Sequence, residues 1–318
     1  MPPKKPFVGI DLGGTNMQIG VVSPDFKLLG SSKKKTKAEE GVEGVLSRIV
    51  EATQEACAAA KVSVGDLGGL GIGAPGAVDP YKGLVLEAVN LRWTDVPLAQ
   101  LLTKQLKVPV FVDNDVNVAV VGEHRLGAGK GVDDLLGVWV GTGIGGGLIL
   151  NGKLYEGTFF SAGEIGHTIA LPGALAGHRS LEHNCSRTAV VDRLVRLIQS
   201  NRKSKIMAEV EGDTERIKSR TIGKAYREGD ALVVEVVDES ADLLGIAIAN
   251  VVTLLSLPRV VLGGGLTEAI GKAYVERVQR MARKTAFPEA CRKVDVVAST
   301  LEDNAGVYGA AMLAMDRS

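Results

Sequence analysis

Cysteine is scarce in this chain: Cys57, Cys185 and Cys291 are its three, odd in number and far apart in sequence. That excludes a disulfide framework and a clustered cysteine metal site, and it fits a reducing, cytoplasmic setting. Net charge is missing as well, since Lys+Arg and Asp+Glu each number 37. With no overall field to draw it onto a polyanion, the chain is expected to bind neither nucleic acid nor an anionic membrane surface. No long hydrophobic run is present. The longest, Leu243 to Leu257, is interrupted by Gly245, Asn250, Thr253 and Ser256, which suits a core helix and not a membrane span. The opening Met1-Pro2-Pro3-Lys4-Lys5-Pro6 has no apolar h-region, so no secretory signal is expected. Two familiar phosphate fingerprints are also lacking. No Gly-Lys-Ser/Thr completes a Walker A loop, and no G-x-G-x-x-G opens a helix after the first strand.

Glycine is abundant, at 40 of 318 residues, and it is concentrated where strand-like runs end. Phe7 to Asp11 and Met17 to Ser23 read as strands hinged on Leu12-Gly13-Gly14-Thr15-Asn16, with a third strand near Lys27 to Ser32. Val45, Ile49, Ala52 and Ala56 share one face of a helix predicted over 42–60. Leu67 to Ile72 and Val108 to Val112 read as buried strands. The first ends at the turn Gly73-Ala-Pro-Gly-Ala-Val-Asp79, the second at Asp113-Asn114-Asp115 before a helix over 116–126. The pattern then restarts. Leu135 to Val140 is a strand, Gly141-Thr-Gly-Ile-Gly-Gly-Gly147 a turn, and Leu148 to Leu150 the next strand. A repeated strand–glycine turn–strand opening suggests an internal duplication. Helices are predicted over 187–200, 230–257, 274–285 and 305–315, and strands over 260–262 and 294–298. A chain of this length suits two lobes around separate cores, with no low-complexity tract or long linker between them.

Three turns could face phosphate: Asp11-Leu-Gly13-Gly14-Thr15, Gly141-Thr142-Gly143-Ile-Gly145-Gly146 and Gly263-Gly264-Gly265. Glycine lets the backbone approach an anion and aim successive N–H groups at it, and the hydroxyls of Thr15 and Thr142 add donors. Taken singly, each could equally be a steric necessity at a strand end. For Asp113-Asn114-Asp115 two readings stand side by side. One of the three caps the following helix, or a carboxylate there serves as base in group transfer.

Taken in order, Asp11-Leu-Gly-Gly-Thr-Asn16, Gly73-Ala-Pro-Gly76, Asp113-Asn-Asp-Val-Asn117, Gly141-Thr-Gly-Ile-Gly-Gly146, Gly163-Glu-Ile-Gly-His167 and Leu262-Gly-Gly-Gly265 span nearly the whole chain. This set resembles the ROK family of bacterial sugar kinases, and within it the glucokinase-like members. The resemblance implies an α/β, two-lobed actin-like ATPase (ribonuclease H-like) fold with an interlobe active-site cleft. The small lobe would take 1–117 plus 303–318, the large lobe 118–302. It implies transfer of the γ-phosphoryl group of ATP, with Mg²⁺, to a hexose. Glucose giving glucose 6-phosphate is the leading case. Fructose, mannose, allose, N-acetylglucosamine or N-acetylmannosamine are alternatives, as is polyphosphate as donor. Asp11, Gly13, Gly14, Thr15 and Asn16 would form the first phosphate motif, Gly141, Thr142, Gly143 and Gly145 the second, and Gly263 to Gly265 would approach the adenosine. Asp115 would be the catalytic base. Asn114, Glu164, His167 and Glu182 would bind the sugar, with Gly76 and Asn90 near it. A homodimer is expected from the same resemblance. The family also holds non-catalytic sugar-sensing repressors with a helix-turn-helix domain. Only six residues precede Phe7, so the sensor is the lesser expectation.

The family pattern fails in one place. ROK kinases carry a C-x-C-G-x-x-G-C segment that binds a structural zinc, whereas Thr168 to Ser180 here contains no cysteine. His178, His183 and Cys185 do not make a tetrahedral set at zinc spacing, so no structural zinc is expected. Trp93 reads as core.

Overall fold

The computed structural model describes residues 5–318, so the first four, part of the opening read against a signal peptide, lie outside the described residues. The chain forms two compact units, one of Met1–Gly131, Leu154–Ala162 and Asp303–Ser318, the other of Val132–Lys153 and Gly163–Glu302.

In the first unit β1 (Phe7–Leu12), β2 (Asn16–Val22) and β3 (Leu28–Lys35) form a meander. After α1 (Gly41–Ala60), β4 (Leu70–Ala74) pairs parallel to β1. A small antiparallel sheet of β5 (Ala77–Asp79), β6 (Leu84–Ala88) and β7 (Trp93–Val96) follows, then α2 (Leu98–Leu106). The edge strand β8 (Val110–Asn114) runs directly into α3 (Asp115–Leu126). The sheet order is β3-β2-β1-β4-β8. Only β5 of the small sheet overlaps the turn read at 73–79, and β6 and β7 were not expected from sequence, because strands of three to five residues are too short to show alternation. Trp93 is core, 2 % exposed.

The second unit repeats the scheme. β9 (Leu135–Val140) and β10 (Ile144–Leu150) form a hairpin, with the short β11 (Lys153–Leu154) at the edge. Helices α4 (Glu182–Cys185), α5 (Arg187–Gln199), α6 (Ile206–Glu209), α7 (Ser219–Arg227) and the long α8 (Ala231–Leu255) precede β12 (Arg259–Gly263). Then come α9 (Gly265–Ile270), α10 (Lys272–Thr285) and β13 (Asp295–Ala298). The sheet order, β11-β10-β9-β12-β13, is that of the first unit: a hairpin whose first strand is flanked by two successive parallel strands. The duplication is therefore one of topology. The broken apolar run is the C-terminal part of α8, whose Leu244, Ile248 and Val252 are fully buried. Among the described residues no helix is long and apolar enough to cross a membrane.

The chain ends in α11 (Ala305–Arg317), which belongs to the first unit. Alternation along β1 explains its seat. Val8, Ile10 and Leu12 point into the core shared with α1, while Phe7, Gly9 and Asp11 face the other way. A Cβ on Gly9 would sit 1.8 Å from the Val307 carbonyl oxygen, and one on Gly71 of β4 would sit 1.7 Å from that of Ala310. Glycine on the sheet thus lets α11 lie directly on the strand backbones. The first unit runs to Gly131, not to 117 as the sequence suggested, because α3 packs against α11: a Cβ on Gly309 would lie 1.6 Å from the Val118 oxygen. The unit also reclaims Leu154–Ala162, where Glu156 accepts a hydrogen bond from Arg317 at 2.8 Å.

Candidate active site

Because β1 alternates, Asp11 emerges on the face that carries α11. Its carboxylate packs on the first turn of that helix, 2.8 Å from where a Cβ of Gly306 would stand. Burial and the nearby Asp303 push its pKa up to about 6, against an opposing pull from Lys33. The turn that follows is fixed from outside. The Thr36 hydroxyl donates to the Gly13 carbonyl at 2.6 Å, and the Thr36 N–H to that of Thr15 at 2.9 Å. Gly14 packs on Asn90, while Thr15 and Asn16 are exposed. Two carboxylates in electrostatic contact, one of them carrying a raised pKa, form a donor set that a divalent cation would relieve. Mg²⁺, which keeps most of its own waters, fits a set this small.

The Asp113-Asn114-Asp115 triplet divides its tasks. Asp113 is buried, accepts from Asn117 Nδ2 at 3.0 Å and pairs with Arg317 at 3.3 Å. Asn114 is the N-cap of α3, its Oδ1 accepting from the N–H groups of Val116 and Asn117 at 2.8 and 3.1 Å. Its amide also donates to the Gly76 carbonyl at 3.0 Å, which joins two residues expected near the sugar. Asp115 opens α3 from a half-buried position, with Oδ1 taking the Val116 N–H at 2.9 Å. Capping therefore falls to Asn114, and the amide read as a sugar ligand is already engaged at both ends.

In the second unit the Gly141–Gly143 turn is closed by the Gly141 N–H donating to the Gly143 carbonyl at 2.9 Å. It is held to the start of α5 from three sides. The Arg187 N–H donates to the Gly141 carbonyl at 2.9 Å, the Thr188 hydroxyl to the Thr142 carbonyl at 2.8 Å, and the Arg187 guanidinium to Thr142 Oγ1 at 2.9 Å. Glu182 sits beneath the turn: its Oε2 accepts from the Ile144 N–H at 2.7 Å, and a Cβ on Gly143 would meet that oxygen at 2.3 Å. Glu164 and His167 are exposed, with Oε2 and Nε2 4.0 Å apart. Although its side chain is partly open to solvent, the desolvation of its carboxylate raises the Glu164 pKa from its ordinary value; His167 lowers it and Glu182 raises it further. The structure thus groups the three side chains of this unit expected at the sugar and ties one of them to the second glycine turn.

Gly263 packs on the Trp139 indole, and Gly264 lies on the Val140 backbone at φ 87°. Gly265 lies beside the Ser219 hydroxyl at the start of α7. A cavity of about 710 Å³ in this unit is lined by Thr142, Glu182, Arg187, Asp192, Arg196 and Lys218, among others.

The cysteine-free loop is closed by hydrogen bonds. Ile169 bridges Ser180, the Ala170 N–H donates to the Arg179 carbonyl at 2.8 Å, and Arg179 Nε donates to the Ala174 carbonyl at 2.7 Å. Asn184 donates to the carbonyls of His178 and Ser180, and the Ser180 hydroxyl meets His183 Nδ1 at 2.7 Å. Among the described residues no three His, Cys, Asp or Glu side chains gather as metal ligands.

The sequence model of the ROK family matches residues 7–317. The chain belongs to the ROK family. It is 32% identical to the glucokinase of Thermotoga maritima, over 99% of each chain. It is 30% identical to that of Halalkalibacterium halodurans, over 96% of this chain and 94% of the other. The crystal structure of a ROK glucokinase from Streptomyces griseus in complex with glucose and AMPPNP superposes with a TM-score of 0.86 at 31% identity, covering 98% of this chain and 99% of that one. The α/β architecture described above is thus the fold of ROK kinases. Sequence reading missed the tether of Arg187 and Thr188 to this ROK chain's second turn. The signal was present in Ser186-Arg187-Thr188, a serine cap followed by donors at a helix start, but only the fold shows which turn it meets.

Proposed function

We propose that the chain is an ATP-dependent glucokinase, forming glucose 6-phosphate and ADP at the entry to glycolysis. The observation that carries this reading is the division of labour at α3. Asn114 caps the helix, so Asp115 is not needed as its cap and stands half-buried at the helix start with a carboxylate suited to take a proton. Similarity to glucokinases over nearly the full length supports the sugar, and the Streptomyces griseus structure with glucose and AMPPNP supports the donor.

Phosphoryl transfer asks for position, charge neutralisation and a base. Asp115 accepts the proton of the attacking hydroxyl as its oxygen moves onto the γ-phosphorus. Glu164, His167 and Glu182 hold ring hydroxyls. A sugar with one hydroxyl inverted would leave part of this polar set unpaired, which is the source of discrimination. The turns at Gly13–Thr15 and Gly141–Gly145 offer backbone N–H groups and hydroxyls to the phosphates, and Gly263 to Gly265 face the adenosine. Mg²⁺, held through Asp11, supplies positive charge to the phosphates when bound. The three free, buried cysteines fit work in the reducing cytoplasm, and a homodimer is the assembly expected of the family.

The test is a coupled ADP-release assay with Mg·ATP against a panel of hexoses and N-acetylhexosamines, run beside Asp115→Ala. Glucose-dependent release that falls by about a hundredfold or more in the variant supports the reading. Equal turnover in wild type and variant would overturn the role of Asp115. Preference for an N-acetylhexosamine would replace glucose.

A further inference from the structure

We infer that Arg187 is a ligand of the donor's phosphate chain, a cation that this chain adds to its second phosphate turn. The inference rests on the kinase reading for the identity of the donor, and on the geometry for the residue. Arg187 is the first residue of α5, behind the Ser186 cap, whose hydroxyl accepts from the Ala189 N–H at 3.2 Å. Its backbone N–H is spent on Gly141, and its guanidinium leans onto Thr142 Oγ1. No carboxylate lies within ion-pair distance of that guanidinium among the described residues. Arg193, Arg202 and Arg277 are matched to Glu239, Glu235 and Asp242, whereas Arg227 and Arg283 reach backbone carbonyls of Ala269 and Val294. Arg187 instead rests on a neutral hydroxyl, in the wall of the 710 Å³ cavity.

The cavity as a whole is balanced in charge, with Arg187, Arg196 and Lys218 against Glu182, Asp192 and Glu215. Placement therefore carries the argument. Glu182 is turned onto the Ile144 N–H, and Arg187 is the cation that touches the turn itself. A guanidinium has several N–H donors in a planar fork. It can keep Thr142 with one nitrogen and offer the rest to phosphate oxygens, which lysine cannot do in the same geometry. The uncompensated charge is then matched by the ligand, and the N-terminal dipole of α5 acts in the same direction.

The experiment compares wild type, Arg187→Met and Arg187→Lys. Calorimetry measures Mg·ATP and adenosine binding, and steady-state kinetics measures KM for ATP and for glucose. Arg187→Met is expected to weaken ATP roughly ten- to a hundredfold, with adenosine affinity and KM for glucose changed by less than about twofold. Arg187→Lys should recover part of the loss, and the salt dependence of ATP binding should flatten in the Met variant. Equal weakening of ATP and adenosine, or a lowered melting temperature with unchanged ATP affinity, would make Arg187 a structural tether only and overturn the inference. If Arg187→Met does not fold, Arg187→Lys decides alone, since unchanged ATP affinity there refutes a bidentate contact. Wild type that binds ATP in this manner but releases no ADP with any sugar would sink the kinase reading and leave the Arg187 assignment standing.

Discussion

Asp11 offers the most direct electrostatic test. Its pKa rises from 3.8 to about 6, first through burial against α11, then through Asp303, with Lys33 opposing. A carboxylate with a raised folded pKa costs stability above that pKa. Below 3.8 both states hold the proton and nothing is lost. Between 3.8 and 6 only the unfolded chain releases it, and stability falls by about 1.4 kcal/mol per pH unit. Above 6 the penalty levels off at about 3 kcal/mol. Asp11→Asn removes the charge while keeping the shape. In the absence of nucleotide, urea denaturation should show the variant more stable than wild type by about 1–3 kcal/mol at pH 7.5. The gap should close as pH falls toward 4. A gain of equal size at both pH values, or no gain at pH 7.5, would refute the reasoning. The same group should register the cofactor. Mg·ATP binding at pH 6 should release a fraction of a proton in wild type and none at this site in Asp11→Asn, read from calorimetry in buffers of different ionisation enthalpy.

Other perturbations follow from contacts already described. Gly71→Ala would place a methyl 1.7 Å from the Ala310 oxygen, so α11 must shift off the sheet; thermal unfolding should show a loss of at least about 3 kcal/mol or no folded protein. Gly143→Ala would press on Glu182 Oε2 at 2.3 Å and disturb its bond to Ile144. Steady-state kinetics should show KM for both ATP and glucose raised about tenfold, where a change in only one would uncouple turn from carboxylate. Prolonged dialysis against a strong chelator, followed by thermal melting without nucleotide, should leave the melting temperature unchanged, because hydrogen bonds close the 168–180 loop. A drop restored by zinc would contradict that account.

Much of this was legible in the residues because glycine and capping patterns are local. The β1–β2 and β9–β10 hairpins, the long α8 and the terminal α11 all follow from alternation, helical spacing and strand-end glycines. What was not legible depends on contacts far apart in sequence. The 117 boundary failed because only packing shows α3 against α11. Asn114 could be named as cap or sugar ligand from sequence, but its bond to Gly76 across 38 positions could not. Glu182 could be expected at a sugar, yet nothing in its neighbours shows that its carboxylate meets an N–H of a turn 38 residues earlier.

The two glycine hairpins also show how one topology can be given different chemistry. Both end a central strand in a turn that presents backbone N–H groups, which is the shared part. In the first, alternation along β1 brings Asp11 out two residues before the turn, next to Asp303, so that hairpin is negatively charged and suited to a cation. In the second, the strand position two residues before Gly141 is Trp139, which packs on Gly263 and carries no charge. Its charges come from outside the hairpin, from Glu182 beneath the turn and Arg187 upon Thr142. A triphosphate donor with a divalent cation needs both kinds of surface, one to hold the metal and one to hold the anion. On the kinase reading proposed above, Asp11 beside the first turn and Arg187, contributed by α5 to the second, would divide those roles, each within its own unit.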